Sequence, residues 1–311
     1  IEVICLKEGQ RSLPANVSVH SLGKEQGAQS RLVYAFRLLS LVWKLRGSYD
    51  TVFVHMNQEY VLLAGWLWKI LRKRIYLWRN HYAGGLLTDV AARFAVKVFC
   101  TSRFSYPAKY KKAVIMPVGV DTELFAPEVS TRILRSVLFF GRFTPAKKPD
   151  VLLEALGILS KEGINFTASF YGTALPIDAD YRDGVIARAR ELGLGQKVKF
   201  YLGVPHAEAP GIFSRHEIFV NLSSSGMYDK TMFEAAACGC VVIAASRDFA
   251  SIVGDRYLVS ENSEAVANTL RELLMLSTDE RAISASKLRE TVLKGHGLKT
   301  LADRLVVELS S

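Results

Sequence analysis

The stretch Ile218–Ser246, IFVNLSSSGMYDKTMFEAAACGCVVIAAS, decides the fold of this chain. Its apolar opening, Ile218 to Leu222, reads as a buried strand, and a polar glycine-containing loop follows from Ser223 to Tyr228. Asp229-Lys230-Thr231 then opens a run of strong helix formers that Gly239 closes. A second apolar, β-branched run, Val241 to Ala245, reads as the next strand. This is a parallel βαβ unit whose helix N-terminus faces a loop carrying a lysine, a threonine and three serines. Unpaired amide N–H groups and the positive end of the helix dipole suit such a point to a phosphate. A nucleotide or sugar-phosphate ligand is the expectation.

The same alternation of short strands and amphipathic helices runs outward in both directions, the pattern of a parallel sheet covered on both faces. In the first half, strands are expected at 2–6, 51–55, 74–78, 96–101 and 113–116, with helices at 30–45, 60–71 and 87–95 between them. In the second half, strands are expected at 136–140, 165–171, 197–201, 218–222 and 240–244. Helices at 146–160, 180–192, 207–214 and 230–238 separate these, and three more at 263–276, 279–294 and 298–309 close the chain. The polar stretch Asp121–Leu134, with Pro127 inside it, is the natural linker. The chain starts at Ile1 and passes straight into a strand, so the first domain is expected to be short by one βα unit, as in a fragment.

At 311 residues, half of them hydrophobic, the chain is long enough for two cores. Its longest apolar stretch, Tyr60 to Trp68, is too short to span a bilayer. The cysteines Cys5, Cys100, Cys238 and Cys240 lack zinc-like pairing and read as small buried thiols in a reducing cytosol. The formal charge of +10 is lopsided: residues 1–130 hold 18 Lys and Arg against 9 Asp and Glu, residues 131–311 hold 22 against 21. A basic half attracts nucleic acid, an anionic membrane surface or phosphorylated small molecules. No recognised nucleic-acid module appears. No G-x-G-x-x-G follows an expected strand, which weakens a dinucleotide oxidoreductase.

Just after the linker comes SVLFFGRFTPAKKPDVLLEAL. A strand ends at Phe140, Gly141-Arg142 turns the chain, and Lys147-Lys148 stands before a helix whose first turn holds Pro149. An arginine and a lysine five residues apart across a strand-to-helix loop can converge on a diphosphate; a solvated basic loop is the other reading. In the first half, His55-Met-Asn57 and Asn80-His81 follow expected strand ends, where parallel sheets bind ligands. The segment YVLLAGWLWKILRKR, 60–74, reads either as a buried helix with a basic C-terminal end or as an interfacial helix on an anionic membrane.

Taken together, these segments resemble the family 4 glycosyltransferases. FFGRFTPAKKPDVLLEAL resembles the opening of that family's C-terminal domain, roughly GR-x3-EKG followed by an apolar helix. VKFYLGVP is similar to its V-x-F-x-G-x-V segment, FEAAACGCVVIAA to LEAMACGxPVV, and MPVGVDTELFAP to its G-V/I-D-x-x-x-F-x-P linker. The motifs occur in order over most of residues 113–245. The resemblance implies the α/β GT-B fold, two Rossmann-like domains with parallel sheets facing across a cleft. The divisions would be an acceptor domain at 1–122, a nucleotide-sugar domain at 123–295 and a C-terminal helix at 296–311 packing back on the first. It implies retaining, metal-independent transfer of a hexosyl group from a UDP- or GDP-sugar co-substrate, with no further cofactor. The acceptor would be a glycan or lipid-linked hydroxyl, and the enzyme would work in the cytoplasm or peripherally at the inner membrane face.

Carried over residue by residue, Arg142 and Lys147 fall on the family's diphosphate-binding pair, and Glu234 on the second glutamate of Glu-x7-Glu, which bonds the ribose hydroxyls. His81 falls where members often carry a histidine facing the donor sugar. Gly141, Tyr228, Asp229, Lys230 and Thr231 complete the expected donor site, with His55, Asn57 and Asn80 on the acceptor side. The first glutamate is replaced by Gly226, and Lys148 stands where the family commonly has glycine. The loss at Gly226 leaves a second reading open, a nucleotide-sugar-binding or scaffold protein without transferase activity.

Overall fold

A computed structural model describes residues 1–9, 13–128, 132–226 and 228–310. Positions 129–131 of the expected linker and Met227 of the expected phosphate loop lie outside them. The chain divides into two compact units, residues 1–100 with 105–115, and residues 101–104 with 116–311.

In the first unit, β1 (Glu2–Cys5) and β2 (Ser18–Ser21) form a separate two-stranded parallel sheet. Then come α1 (Arg31–Lys44), β3 (Thr51–His55), α2 (Gln58–Ile70), β4 (Arg74–Trp78), α3 (Leu86–Phe94), β5 (Lys97–Cys100) and β6 (Ala113–Ile115). The last four strands pair in parallel in the order β3-β4-β5-β6. β4 is buried from Ile75 to Trp78, as a central parallel strand covered on both faces must be. Leu38 and Val42 of α1 and Val61, Ala64 and Leu67 of α2 pack over Ile75, Leu77 and Val98. A cavity of about 580 Å³ opens between β1 and β3, lined by Ile1, Val3, Phe53 and His55 among others.

The second unit begins its sheet with β7 (Ile133–Phe140), followed by α4 (Pro149–Lys161), β8 (Thr167–Tyr171), α5 (Ala179–Glu191) and β9 (Val198–Tyr201). After α6 (Ala209–Arg215) the chain returns through β10 (His216–Asn221), α7 (Lys230–Ala237), β11 (Val241–Ala244) and α8 (Arg247–Val253). The helices α9 (Ser263–Met275), α10 (Thr278–His296) and α11 (Leu298–Ser310) close it. The five strands are parallel in the order β11-β10-β7-β8-β9. The order therefore grows away from β7 on one side and returns through β10 on the other. That makes the β7/β10 boundary a topological switch point, the place where open parallel sheets bind their ligands.

β10 is buried along its whole length, and its Ile218, Phe219 and Val220 pack with Leu138, Phe139, Phe213 and Phe233 in one continuous core. One buried ion pair crosses that core's edge. Arg281 Nε lies 3.1 Å from Glu217 Oε2, and both side chains are 4% exposed.

Candidate functional site

The loops after β7 and β10 meet at the switch point. Lys147 ends a 3-10 turn, Pro145–Lys147, and its ammonium forms an ion pair with Asp229 and donates to Ser223 Oγ at 3.0 Å. Asp229 is the N-cap of α7, accepting from Thr231 N at 3.2 Å through Oδ1. The Thr231 hydroxyl donates to the same oxygen at 2.8 Å, and Asn221 Nδ2, from the end of β10, donates to Oδ2 at 2.8 Å. Burial works to raise the Asp229 carboxyl. The Lys147 charge and the hydrogen bonds from Lys147, Asn221 and Thr231 outweigh it and hold the group below the ordinary carboxylate range.

This network joins the loop after β7 to the end of β10 and the start of α7. Lys230, the first residue of α7, is exposed beside it. Of the three N–H donors on the Lys147 ammonium, Asp229 and Ser223 take two. Arg142 stands exposed on the loop after β7. Its neighbour Gly141 donates its backbone N–H to Tyr171 O at 3.0 Å and is tightly packed: a Cβ at Gly172 would come 1.8 Å from the Gly141 carbonyl oxygen. Only glycine at 172 lets the two strand-end loops lie together.

Lys148 has φ 52°, ψ 47°, the left-handed region. Glycine adopts that conformation freely, whereas a lysine there carries about 1–2 kcal/mol of strain. Its ammonium is engaged in an ion pair with Glu261, which also accepts from Ser224 Oγ at 3.1 Å.

One turn into α7, Glu234 is 3% exposed. Its Oε1 lies 3.1 Å from His206 Nε2, and the imidazole packs against Phe125 with ring centroids 5.1 Å apart. Burial pushes the Glu234 carboxyl above its ordinary value, and the His206 hydrogen bond opposes that rise. The sequence reading missed His206; its only signal was its place after the loop that follows β9.

Gly226, which the resemblance aligns with the first glutamate, has φ 87°. Its N–H donates to Asp248 Oδ2 at 2.6 Å, and Asp248 is 1% exposed. The backbone here is one that glycine adopts freely and most side chains do not. Tyr228 at φ 43° stacks on Phe233 with ring centroids 5.1 Å apart, which fixes the approach to α7.

The first-half residues sit at strand ends of their own unit. His55 ends β3, its ring 6.0 Å from that of Trp78, and burial pushes its pKa down. Asn57 occupies the N-cap position of α2 without a side-chain cap bond. Asn80 follows β4 and is half-buried. Next to it, His81 accepts from Ala83 N at 2.9 Å through Nδ1 and stacks on Tyr82 at 4.6 Å.

Comparison with known proteins adds to this geometry. Residues 127–289, just over half the chain, match the family model described as "Glycosyl transferases group 1". A D-inositol 3-phosphate glycosyltransferase of Segniliparus rotundus is 27% identical over 151 residues, which cover 45% of this chain and 33% of that protein. Its Mycobacterium bovis counterpart is 30% identical over 138 residues, covering 41% and 28%. The matched stretch therefore spans about a third of these curated relatives' length. Among solved structures, Anabaena Alr3699/HepE in complex with UDP and glucose superposes with TM-score 0.77 at 19% identity, over 95% of this chain and 86% of that one. Sucrose-phosphate synthase from Thermosynechococcus elongatus gives 0.74 at 18% identity, over 98% and 86%. These structural likenesses carry the fold, the GT-B arrangement of Rossmann-like domains.

Proposed function

The chain belongs to the group 1 glycosyltransferase family, and from that premise we propose that it transfers a sugar from a nucleoside-diphosphate sugar to an acceptor hydroxyl with retention of configuration. The observation that carries the reading is the Lys147–Asp229 pair at the β7/β10 switch point, with the N-terminus of α7 beside it and Glu234 one turn further. A diphosphate placed there receives the remaining Lys147 donor, the Arg142 and Lys230 charges and the first amides of α7. Fixed cations and dipoles stabilise charge that grows on a leaving group better than mobile water does. Glu234 offers two carboxylate oxygens to the ribose hydroxyls.

The bond from the sugar's anomeric carbon to the leaving phosphate breaks as the acceptor oxygen bonds to the same face. The acceptor proton passes to the departing phosphate oxygen, so no side-chain base is required. His81 contacts the donor sugar in this scheme, and His55, Asn57 and Asn80 serve the acceptor, a glycan or lipid-linked hydroxyl. The Anabaena protein's complex with UDP and glucose makes UDP-glucose the first donor to try.

Gly226 favours one competing reading, a protein that binds nucleotide-sugar without transferring it. Calorimetric titration with UDP- and GDP-sugars beside a sugar-release and transfer assay separates the two. Binding with turnover that Arg142→Ala abolishes supports transfer; binding with neither release nor transfer supports the competitor; no binding overturns both.

A further inference from the structure

The helices α1 and α2 of the first unit pack against each other, and each carries two apolar faces rather than one. The inner faces, Leu38 and Val42 on α1 and Val61, Ala64 and Leu67 on α2, belong to the core. The outer faces are also apolar. Leu32, Phe36 and Trp43 recur at i, i+4 and i+11 on α1, and Leu63, Trp66 and Ile70 at i, i+3 and i+7 on α2. Leu32 is 82% exposed, Phe36 74% and Ile70 68%, and the two tryptophans are about half exposed. A surface helix ordinarily places charge there. Single exposed apolar residues need no explanation, but two adjoining helices presenting them together mark an interaction surface.

The charges around this surface say what it meets. Both helices close on basic turns, with Lys44 and Arg46 at the end of α1 and Lys69 and Arg72 at the end of α2; Arg74 opens β4 just beyond. Residues 31–74 carry eight Lys and Arg against two carboxylates, Asp50 and Glu59, and Lys73 holds Asp50 at 3.5 Å. The Arg46 guanidinium lies over the Trp43 ring, 4.5 Å from its centroid. Apolar side chains bordered by tryptophan and framed by cations match one environment: hydrocarbon lying behind a layer of negative headgroups.

We propose that α1 and α2 together form a docking face for an anionic lipid bilayer, with Leu32, Phe36, Trp43, Leu63, Trp66 and Ile70 entering the interface and the basic turns meeting the headgroups. Among the described residues no helix is long and apolar enough to cross a membrane; the mode is attachment in the interfacial plane. The face is built from first-unit residues and uses none of the donor-site residues, and lipid binding needs no nucleotide-sugar. Its failure and the failure of the transferase reading are therefore distinguishable.

The test is flotation with vesicles of phosphatidylcholine alone and of phosphatidylcholine mixed with phosphatidylglycerol. The chain is expected to float with the mixed vesicles only, and added salt is expected to release it. Phe36→Ser with Trp66→Ser should weaken binding by at least about tenfold while circular dichroism stays unchanged. Lys69→Glu with Arg72→Glu should abolish the preference for the anionic mixture. Brominated lipid should quench Trp43 and Trp66, read in Trp43→Phe and Trp66→Phe variants. Absence of binding, equal binding to both vesicle types, or undiminished binding by the serine variant overturns the proposal. So does light scattering that shows a dimer which the serine variant dissociates, since the face would then cover a second copy.

Discussion

Lys147 and Asp229, 82 residues apart in sequence, form an ion pair across the switch point of the second sheet. The carboxylate that caps α7 is thus also the group that holds the Lys147 cation beside the N-terminus of that helix. Replacing Lys147 with Met keeps most of its stem and removes the charge. Turnover is expected to fall by about 10²–10³-fold, the scale seen when one fixed transition-state donor is lost, with a smaller change in donor Kd. Steady-state kinetics beside calorimetry checks this, and an unchanged kcat removes Lys147 from the leaving-group site.

The same pair has a pH signature. Asp229 sits below its ordinary carboxylate value, so its contribution to stability is present above the unfolded value and disappears as pH falls through the folded one. Asp229→Asn should therefore narrow the stability gap to wild type in strongly acidic buffer and widen it near neutrality. Urea midpoints across the acid range measure it.

Glu234 moves in the opposite direction. Burial raises its carboxyl and His206 restrains the rise. Donor binding that uses the ionised form should weaken on acidification earlier than an ordinary carboxylate would cause. In His206→Asn, the restraint gone, the fall in affinity should begin at a still higher pH. Donor Kd measured against pH in both proteins decides; superimposable profiles exclude the coupling.

At Gly226 a side chain meets a left-handed backbone whose N–H is held by buried Asp248. Gly226→Glu, which restores the family's residue, is expected to lose about 1–3 kcal/mol of stability and to gain no activity. Denaturant unfolding and kinetics on one preparation test both halves.

The Arg281–Glu217 pair is structural. Glu217→Ala leaves a buried guanidinium uncompensated and should cost about 3–5 kcal/mol, whereas Glu217→Met with Arg281→Leu should recover most of it. Chemical denaturation of the two variants makes the comparison.

The sequence made the second unit more legible than the first. Strand β10 and helix α7 follow from an apolar run and a block of helix formers; α7 ends one residue before its expected bound, and β10 starts two residues before its own. Strand β2, Ser18–Ser21, was missed because SVHS has no apolar run; parallel pairing with β1 makes it a strand. Helix α8 was missed because Arg247–Val253 is short and follows β11 without a side-chain cap bond. Arg142, Lys147 and Glu234 are named by the family resemblance; the structure joins Lys147 to the start of α7 and leaves Arg142 exposed after β7. That Lys147 pairs with Asp229, and His206 with Glu234, was not legible, since each contact is made only when distant strands fall into register. The left-handed backbone at Lys148 is one that glycine, the residue the resemblance expects there, adopts freely.

The cavity beside β3 bears on how the chain must be handled. On that side the peptide groups of Thr51–His55 pair with no described strand, and Phe53 projects partly into solvent. A strand border left without a paired partner is a template onto which an extended peptide can zip. Concentrated solutions should thicken into oligomers through it, and a lysine at Phe53 is the simplest guard against them.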